Sequence, residues 1–271
     1  MNDLRFSVSM CVYGGDKAEY FDEALASVYN QTLVPDEVVL TVDGPVSEDI
    51  NGVIDKYQQA HGMKVVRLSQ NMGHGTARRT GFANCQFKLI AIADADDINA
   101  PNRFEKQIDC FKRNPELSAV SSGCYHFENT ISETQYEELL PTTDAEIKKM
   151  MKTRCPLTQA CVMLKKEDVE KAGGYLDWYH AEDYYLWIRM ALNDVKFANV
   201  NESLLYVRSN DSYISRRGGK KYFNSLKRLF RYMLDHEMIG WGTYFYNIST
   251  RYVAQVVLTG KTRAILRKLI K

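Results

Sequence analysis

The stretch IAIADADDINAPNRFEKQ, from Ile90 to Gln107, decides how the chain is read. Leu89 to Ala93 form an apolar run that reads as a buried strand, and the run ends in Asp94, Asp96 and Asp97. Pro101 then opens an amphipathic helix with Phe104, Ile108 and Phe111 on one face. Strand, acidic turn and helix in this order make half of a βαβ unit. Three carboxylates within four positions repel one another, so either solvent screens them on a loop or a cation sits among them.

Outward from this stretch the same alternation continues. Up to about residue 126, candidate strands at Phe6–Val12, Glu37–Val42, Lys64–Leu68, Leu89–Ala93 and Ala119–Tyr125 are separated by longer amphipathic runs, among them Glu19–Asn30. The pattern predicts a Rossmann-like α/β fold with a mainly parallel sheet flanked by helices, in which ligands sit at the carboxyl ends of the strands. Tyr13, Asp43 and Asp94 fall at those ends. After Phe127 the order changes: Glu128–Asp144 reads as a polar excursion, Ala145–Lys152 as a helix, Gln159–Leu164 as a strand, Glu167–Ala172 as a helix and Asp183–Leu192 as an amphipathic helix. From Lys220 the chain reads as helical, broken near Gly240–Gly242 and Gly260. The expected organisation is one α/β domain over 1–215, with halves 1–126 and 127–215, followed by a helical C-terminal extension over 216–271.

The chain of 271 residues has an overall charge of +1 that hides a split. Residues 216–271 carry 13 Lys+Arg against 2 Asp+Glu, a net +11, which leaves −10 on residues 1–215. Six cysteines form no CxxC pair and read as reduced core residues of a cytosolic protein. The N-terminus does not read as a signal peptide, and no run reaches the roughly 18 apolar residues of a membrane span.

Four stretches carry chemistry. Asp94-Ala95-Asp96 offers the oxygen donors that Mg²⁺ or Mn²⁺ prefers, shared with substrate phosphates; the alternative is a polar strand end. VDGPVS sets Asp43 before a tight turn, where it could accept from a nucleobase N–H or merely make the turn. NMGHGTARRTGF sets Arg78 and Arg79 at a helix start, suited to phosphate or ribose. It also half matches a dinucleotide fingerprint, but Arg78 stands where the third glycine belongs. In GGYLDWYHAEDYYLWIRMA, Glu182 or Asp183 either favours the positive end of its helix or serves as a general base, with Trp178 and His180 as further acceptor contacts.

Taken together, SVSMCVYGGDKAEYFDEALASVYNQT, VVLTVDGP, NMGHGTARRTGF, ADADDINAPNRFEKQ and AEDYYLWIRM resemble family 2 glycosyltransferases of the GT-A fold over nearly the whole chain. In detail the sequence is similar to bacterial transferases that build capsule, exopolysaccharide or O-antigen repeats. The resemblance implies that Tyr13 and Asp43 contact the nucleobase, that Arg78 and Asp94 contact the nucleotide, that Asp96 with Asp94 holds Mn²⁺ or Mg²⁺, and that Asp183 is the base of an inverting transfer. It further implies a nucleotide diphosphate sugar donor, UDP as the carrier, and a glycan or polyprenyl-diphosphate-linked acceptor. Two departures stand out: TVDGP has one acid where the family usually has a pair, and the QxxRW signature of processive synthases is absent, which favours transfer of a single sugar.

Two other readings compete. A nucleotidyltransferase needs a basic phosphate-gripping loop soon after the first strand, where YGGDKAEYF offers one lysine and two acids. A catalytically silent nucleotide- or glycan-binding module would not need both carboxylate motifs. The basic tail shows no nucleic-acid-binding motif. Its last segment, GKTRAILRKLIK, places Ile265, Leu266, Leu269 and Ile270 on one helical face among basic residues, the pattern of a helix lying on an anionic membrane surface. That implies a peripheral protein at the cytoplasmic face of the plasma membrane; the alternative is that the tail packs on the catalytic domain or on a second subunit of a homodimer.

Overall fold

A computed structural model describes residues 4–209 and 218–258. β1 (Phe6–Tyr13), β2 (Glu37–Asp43), β3 (Lys64–Arg67) and β4 (Leu89–Asp94) are the first four strands in order. They pair in parallel as β3-β2-β1-β4, with α1 (Ala18–Tyr29), α2 (Glu48–His61) and α3 (His74–Asn84) as crossovers. Local chemistry sets the helix bounds. Ser47 Oγ accepts the Ile50 amide at the start of α2, and Gly62 ends that helix in the left-handed region at φ 66°.

Beyond β4 the sheet is mixed. It continues through β8 (Met163–Lys165), β6 (Leu117–Phe127), β9 (Lys196–Arg208) and β5 (Ile98–Asn99), while β7 (Tyr136–Glu138) pairs with β6. β8 runs antiparallel to both β4 and β6, whereas β6 and β9 are parallel with three register irregularities. α4 (Arg103–Arg113), α5 (Asp144–Met151), α6 (Lys166–Lys171) and α7 (Glu182–Ala191) cover this half. At α5, Thr143 and Glu146 cap reciprocally: Thr143 Oγ1 donates to the Glu146 carboxylate at 2.7 Å and accepts the Glu146 amide at 3.4 Å.

β4 shows why its apolar run is continuous. Ile90 and Ile92 face one core cluster, with Val39, Leu164, Trp187 and Phe230; Leu89, Ala91 and Ala93 face the other, with Val8, Leu25 and Phe104. A strand covered on both faces has no polar side. The C-terminal extension begins inside the same core: α8 (Gly219–Asp235) buries Leu226, Leu229, Phe230 and Met233 against Trp187. α9 (Trp241–Tyr252) follows and ends in a π-helical turn, Val253–Val257. The amphipathic segment at 261–271 lies outside the described residues.

Two expectations are corrected. Gln159–Leu164 is not one strand, because a 3-10 turn at Gln159–Cys161 precedes β8. The carbonyls of Ala160 and Val162 accept from the buried Arg103 guanidinium and that of Cys161 from Gln107, which bends the segment toward α4. The 13-residue β9 was not anticipated. Asn199, Asn201 and Glu202 interrupt its apolar run, and its pairing with β6 shifts register in the same region.

Candidate active site

The parallel strands deliver their last residues to one rim. Tyr13 ends β1 and is exposed, Asp43 ends β2 and is buried, and Asp94 ends β4, half-buried. Asp43 is occupied: its two carboxylate oxygens accept the Met72 amide at 2.7 Å and the Gly73 amide at 3.1 Å, and so shape the loop that starts α3. Arg78, on the inner side of α3, is only 1% exposed. It donates to the Ala93 carbonyl at 3.1 Å and forms an ion pair with Asp94. Its charge therefore acts through Asp94, which it fixes and partly neutralises.

Two glycines within α3 have packing reasons distinct from a dinucleotide fingerprint. A Cβ on Gly75 would stand 2.4 Å from the Asp177 carboxylate, and one on Gly81 would stand 2.7 Å from both the Ser9 and Thr41 hydroxyls. The helix is thus seated directly on β1 and β2 at one end and against the 177 loop at the other.

The three carboxylates of DADD part company. Asp94 goes to Arg78, Asp96 stays half-buried in the turn, and Asp97 turns inward to accept the Arg208 amide at 2.9 Å. Burial, reinforced by the charge of Asp96, pushes the Asp97 carboxyl well above the usual carboxylate range, against the pull of Arg208. Arg208, at the end of β9, also donates to the Asp96 carbonyl at 3.2 Å and pairs with Glu23 at 2.6 Å, its guanidinium lying 3.8 Å from the Tyr20 ring centroid. Beneath the turn Arg103 is fully buried; it donates to the Ile92 carbonyl at 2.7 Å and to Asn99, and Gln107 extends the network to Val120 at 3.0 Å. A buried charge is held by carbonyls from β4, from the 3-10 turn and from the segment leading to β8.

Across the rim, α7 begins with Glu182 and Asp183. His74, the first residue of α3, meets Glu182 at 2.7 Å, which brings the starts of the two helices together. Burial raises the Glu182 carboxyl, but the His74 hydrogen bond and charge, with help from His180, pull it below the usual range. Tyr175, buried alongside, senses Arg78, Asp183 and Glu182 at once, and its hydroxyl is pushed up by burial. One chain of contacts therefore runs from Asp94 through Arg78 and α3 to His74, Glu182 and the neighbouring Asp183.

Trp178 and His180 have other surroundings. The Trp178 indole donates to the Ser225 carbonyl of α8 at 3.1 Å, with its ring against Tyr185 at 4.2 Å and the Arg228 guanidinium 4.7 Å from its centroid. That leaves the ring in the α7–α8 seam. His180 sits in a left-handed turn at φ 52°, its ring edge-on to Tyr179. Sequence reasoning did not single out His74, Arg103, Gln107 or Arg208. The spacing of Arg103 and Gln107, four apart on the apolar face of α4, was a signal that polar groups were being buried.

Residues 7–173 match the family model described as glycosyl transferase family 2. A UDP-Gal:alpha-D-GlcNAc-diphosphoundecaprenol beta-1,3-galactosyltransferase of Escherichia coli is 33% identical, over 98% of this chain and 97% of that protein. The amylovoran biosynthesis glycosyltransferase AmsE of Erwinia amylovora is 32% identical over 90% and 92%. Among solved structures, S. aureus TarS 1-349 in complex with UDP-GlcNAc is similar with a TM-score of 0.67 at 16% identity, over 92% of this chain and 73% of that one. The mannosyltransferase PcManGT of Pyrobaculum calidifontis, in complex with GDP-Man and Mn2+, gives 0.63 at 15%, over 93% and 70%. These likenesses show a shared GT-A fold.

Proposed function

The chain belongs to glycosyltransferase family 2, and on that premise we propose that it moves one sugar from a UDP-sugar to a hydroxyl of a polyprenyl-diphosphate-linked glycan, with inversion, in bacterial surface polysaccharide synthesis. The printed name of the E. coli relative supports both the UDP carrier and the lipid-linked acceptor. The observation that supports the reading is the contact chain from Asp94 through Arg78 and α3 to His74 and Glu182, beside Asp183, which links the carboxylate assigned to the nucleotide with those assigned to the acceptor.

Asp96 and Asp94 fit a hard divalent cation, Mn²⁺ or Mg²⁺, because both are carboxylates of a half-buried turn at the strand end. Such an ion, when bound, neutralises the departing diphosphate. The protein's own residues do the rest. Arg78 holds Asp94 in place, Tyr13 offers an exposed ring to the base, Asp43 fixes the loop beside it, and Asp183 takes the proton from the attacking hydroxyl. Glu182 is held by His74 and keeps the start of α7 in register with α3.

Among the described residues no helix is long and apolar enough to cross a membrane. α9 and the turn after it expose Trp241, Phe245, Tyr246, Tyr252, Val253 and Val257. Lys227, Arg228 and Arg231 of α8 line an adjacent groove of about 760 Å³. An aromatic stripe beside basic side chains supports peripheral attachment to the anionic cytoplasmic leaflet, where a lipid-linked acceptor resides.

The test separates base from binding site. Asp183→Asn binds UDP-sugar with unchanged affinity in calorimetry yet loses roughly 10²–10⁴-fold in transfer, the scale of general acid–base catalysis. A parallel loss of donor affinity, or product NMR showing retained anomeric configuration, overturns the assignment.

A further inference from the structure

The sheet carries a second group of ligand-type side chains that the transfer reaction does not use. Cys124 and His126 lie two apart on β6, hence on one face, and Glu138 of β7 stands directly across from Cys124 in the antiparallel register. Cys124 Sγ is 3.4 Å from His126 Nε2, Nε2 is 3.4 Å from the Glu138 carboxylate, and all three donor atoms fall within 4.8 Å of one another. Among the described residues this is the one Cys, His, Asp and Glu group so arranged; the DADD carboxylates are not.

We propose that Cys124, His126 and Glu138 form a site for a borderline divalent cation of the Zn²⁺ type, separate from the carboxylate turn. Bonds of about 2.3 Å to sulfur and about 2.0–2.1 Å to nitrogen or oxygen at tetrahedral angles place neighbouring donors about 3.3–3.6 Å apart, which matches the two short separations. The remaining partners fit a metal-binding histidine. His126 Nδ1 lies 2.7 Å from Ser209 Oγ, which can accept from it in the Nδ1–H tautomer that a metal bound at Nε2 requires; the Tyr136 ring stacks on the imidazole at 4.2 Å. Cys124 and His126 are buried, while the Glu138 side chain is 40% exposed and admits a water as fourth ligand. A thiolate and an imidazole select against Mg²⁺ and Mn²⁺. On binding, the Cys124 S–H proton leaves to solvent as the metal–sulfur bond forms. The consequence is structural: Ser209 follows Arg208, so the ion ties the β6–β7 pair to the strand end that holds Asp96 and Asp97.

Full-length protein stripped with a chelator is titrated with Co²⁺ and then with Zn²⁺. One equivalent of Co²⁺ gives a thiolate-to-metal charge-transfer band with tetrahedral visible bands, and Zn²⁺ bleaches both. Cys124→Ser abolishes the charge-transfer band. Glu138→Gln, on the exposed edge where folding is least at risk, weakens binding at least tenfold with an unchanged circular dichroism spectrum. Ser209→Ala weakens it by about 10–100-fold, the usual effect of losing an orienting partner. Asp96→Ala leaves the band in place, which separates this site from the nucleotide-side ion. Absence of the band in the parent protein, its survival in Cys124→Ser, or parent-like affinity in Glu138→Gln overturns the proposal.

Discussion

The two halves of the sheet position their polar side chains by different means. In β3-β2-β1-β4 every strand is parallel, so Tyr13, Asp43 and Asp94 share one rim as strand ends, with Arg78 of α3 seated against Asp94. In β8-β6-β9-β5 the directions are mixed; the acids Glu182 and Asp183 come from a helix start, and the buried Arg208 at the end of β9 holds the DADD turn. Direction of travel along the strands thus decides whether function sits at predictable chain positions or must be supported by buried polar contacts.

The largest effect tests the rim. Asp96→Ala is expected to abolish turnover and the metal-dependent part of UDP binding, with an unchanged melting temperature because the residue sits in a turn; full activity in EDTA would remove the ion from the scheme. The next tests the mixed half. Arg103→Met removes the guanidinium that the carbonyls of Ile92 and Ala160 and the Asn99 side chain accept from, and the loss of stability in chemical denaturation is expected to reach about 3 kcal/mol. A loss below about 1 kcal/mol would mean that the network does not hold the two halves together.

The smallest effect lies on the bridge between them. Because the folded Glu182 carboxyl is depressed, it adds stability that is present above the unfolded value of about 4.3 and is lost as pH falls through the lower folded value. His74→Ala removes the strongest downward pull and with it that acid-sensitive increment, which is under about 1 kcal/mol because His74 is half exposed. Urea melts from pH 3 to 7 are expected to show a shallower acid limb in the variant; superimposable limbs would sever the pair from stability.

The same contrast explains what the sequence disclosed. The parallel strands were readable because runs such as Leu89–Ala93 are apolar on both faces, and their terminal Asp43 and Asp94 were conspicuous for that reason. β9 escaped notice because polar residues and register shifts break its periodicity. The spacing of Arg103 and Gln107 signalled buried polar groups, but most of their partners could not be read because they are backbone carbonyls, which carry no residue-type signature. Trp178 was read as an acceptor contact because an aromatic stood near acids; nothing local to it signals that its indole N–H will be held by the Ser225 carbonyl of α8, 47 residues on, with the half-buried ring lining the groove beside that helix.

The junction between the loop and α3 is gripped from two sides, by Asp43 through the Met72 and Gly73 amides and by Glu182 through His74. A segment so held behaves as a lever with two handles. By linkage, whatever factor a nucleotide on the Asp43 side imposes on affinity at the Glu182 side, a ligand at the Glu182 side imposes the same factor on the nucleotide. Donor and acceptor affinities in this protein are therefore expected to be linked quantities, each altered by occupancy of the other site.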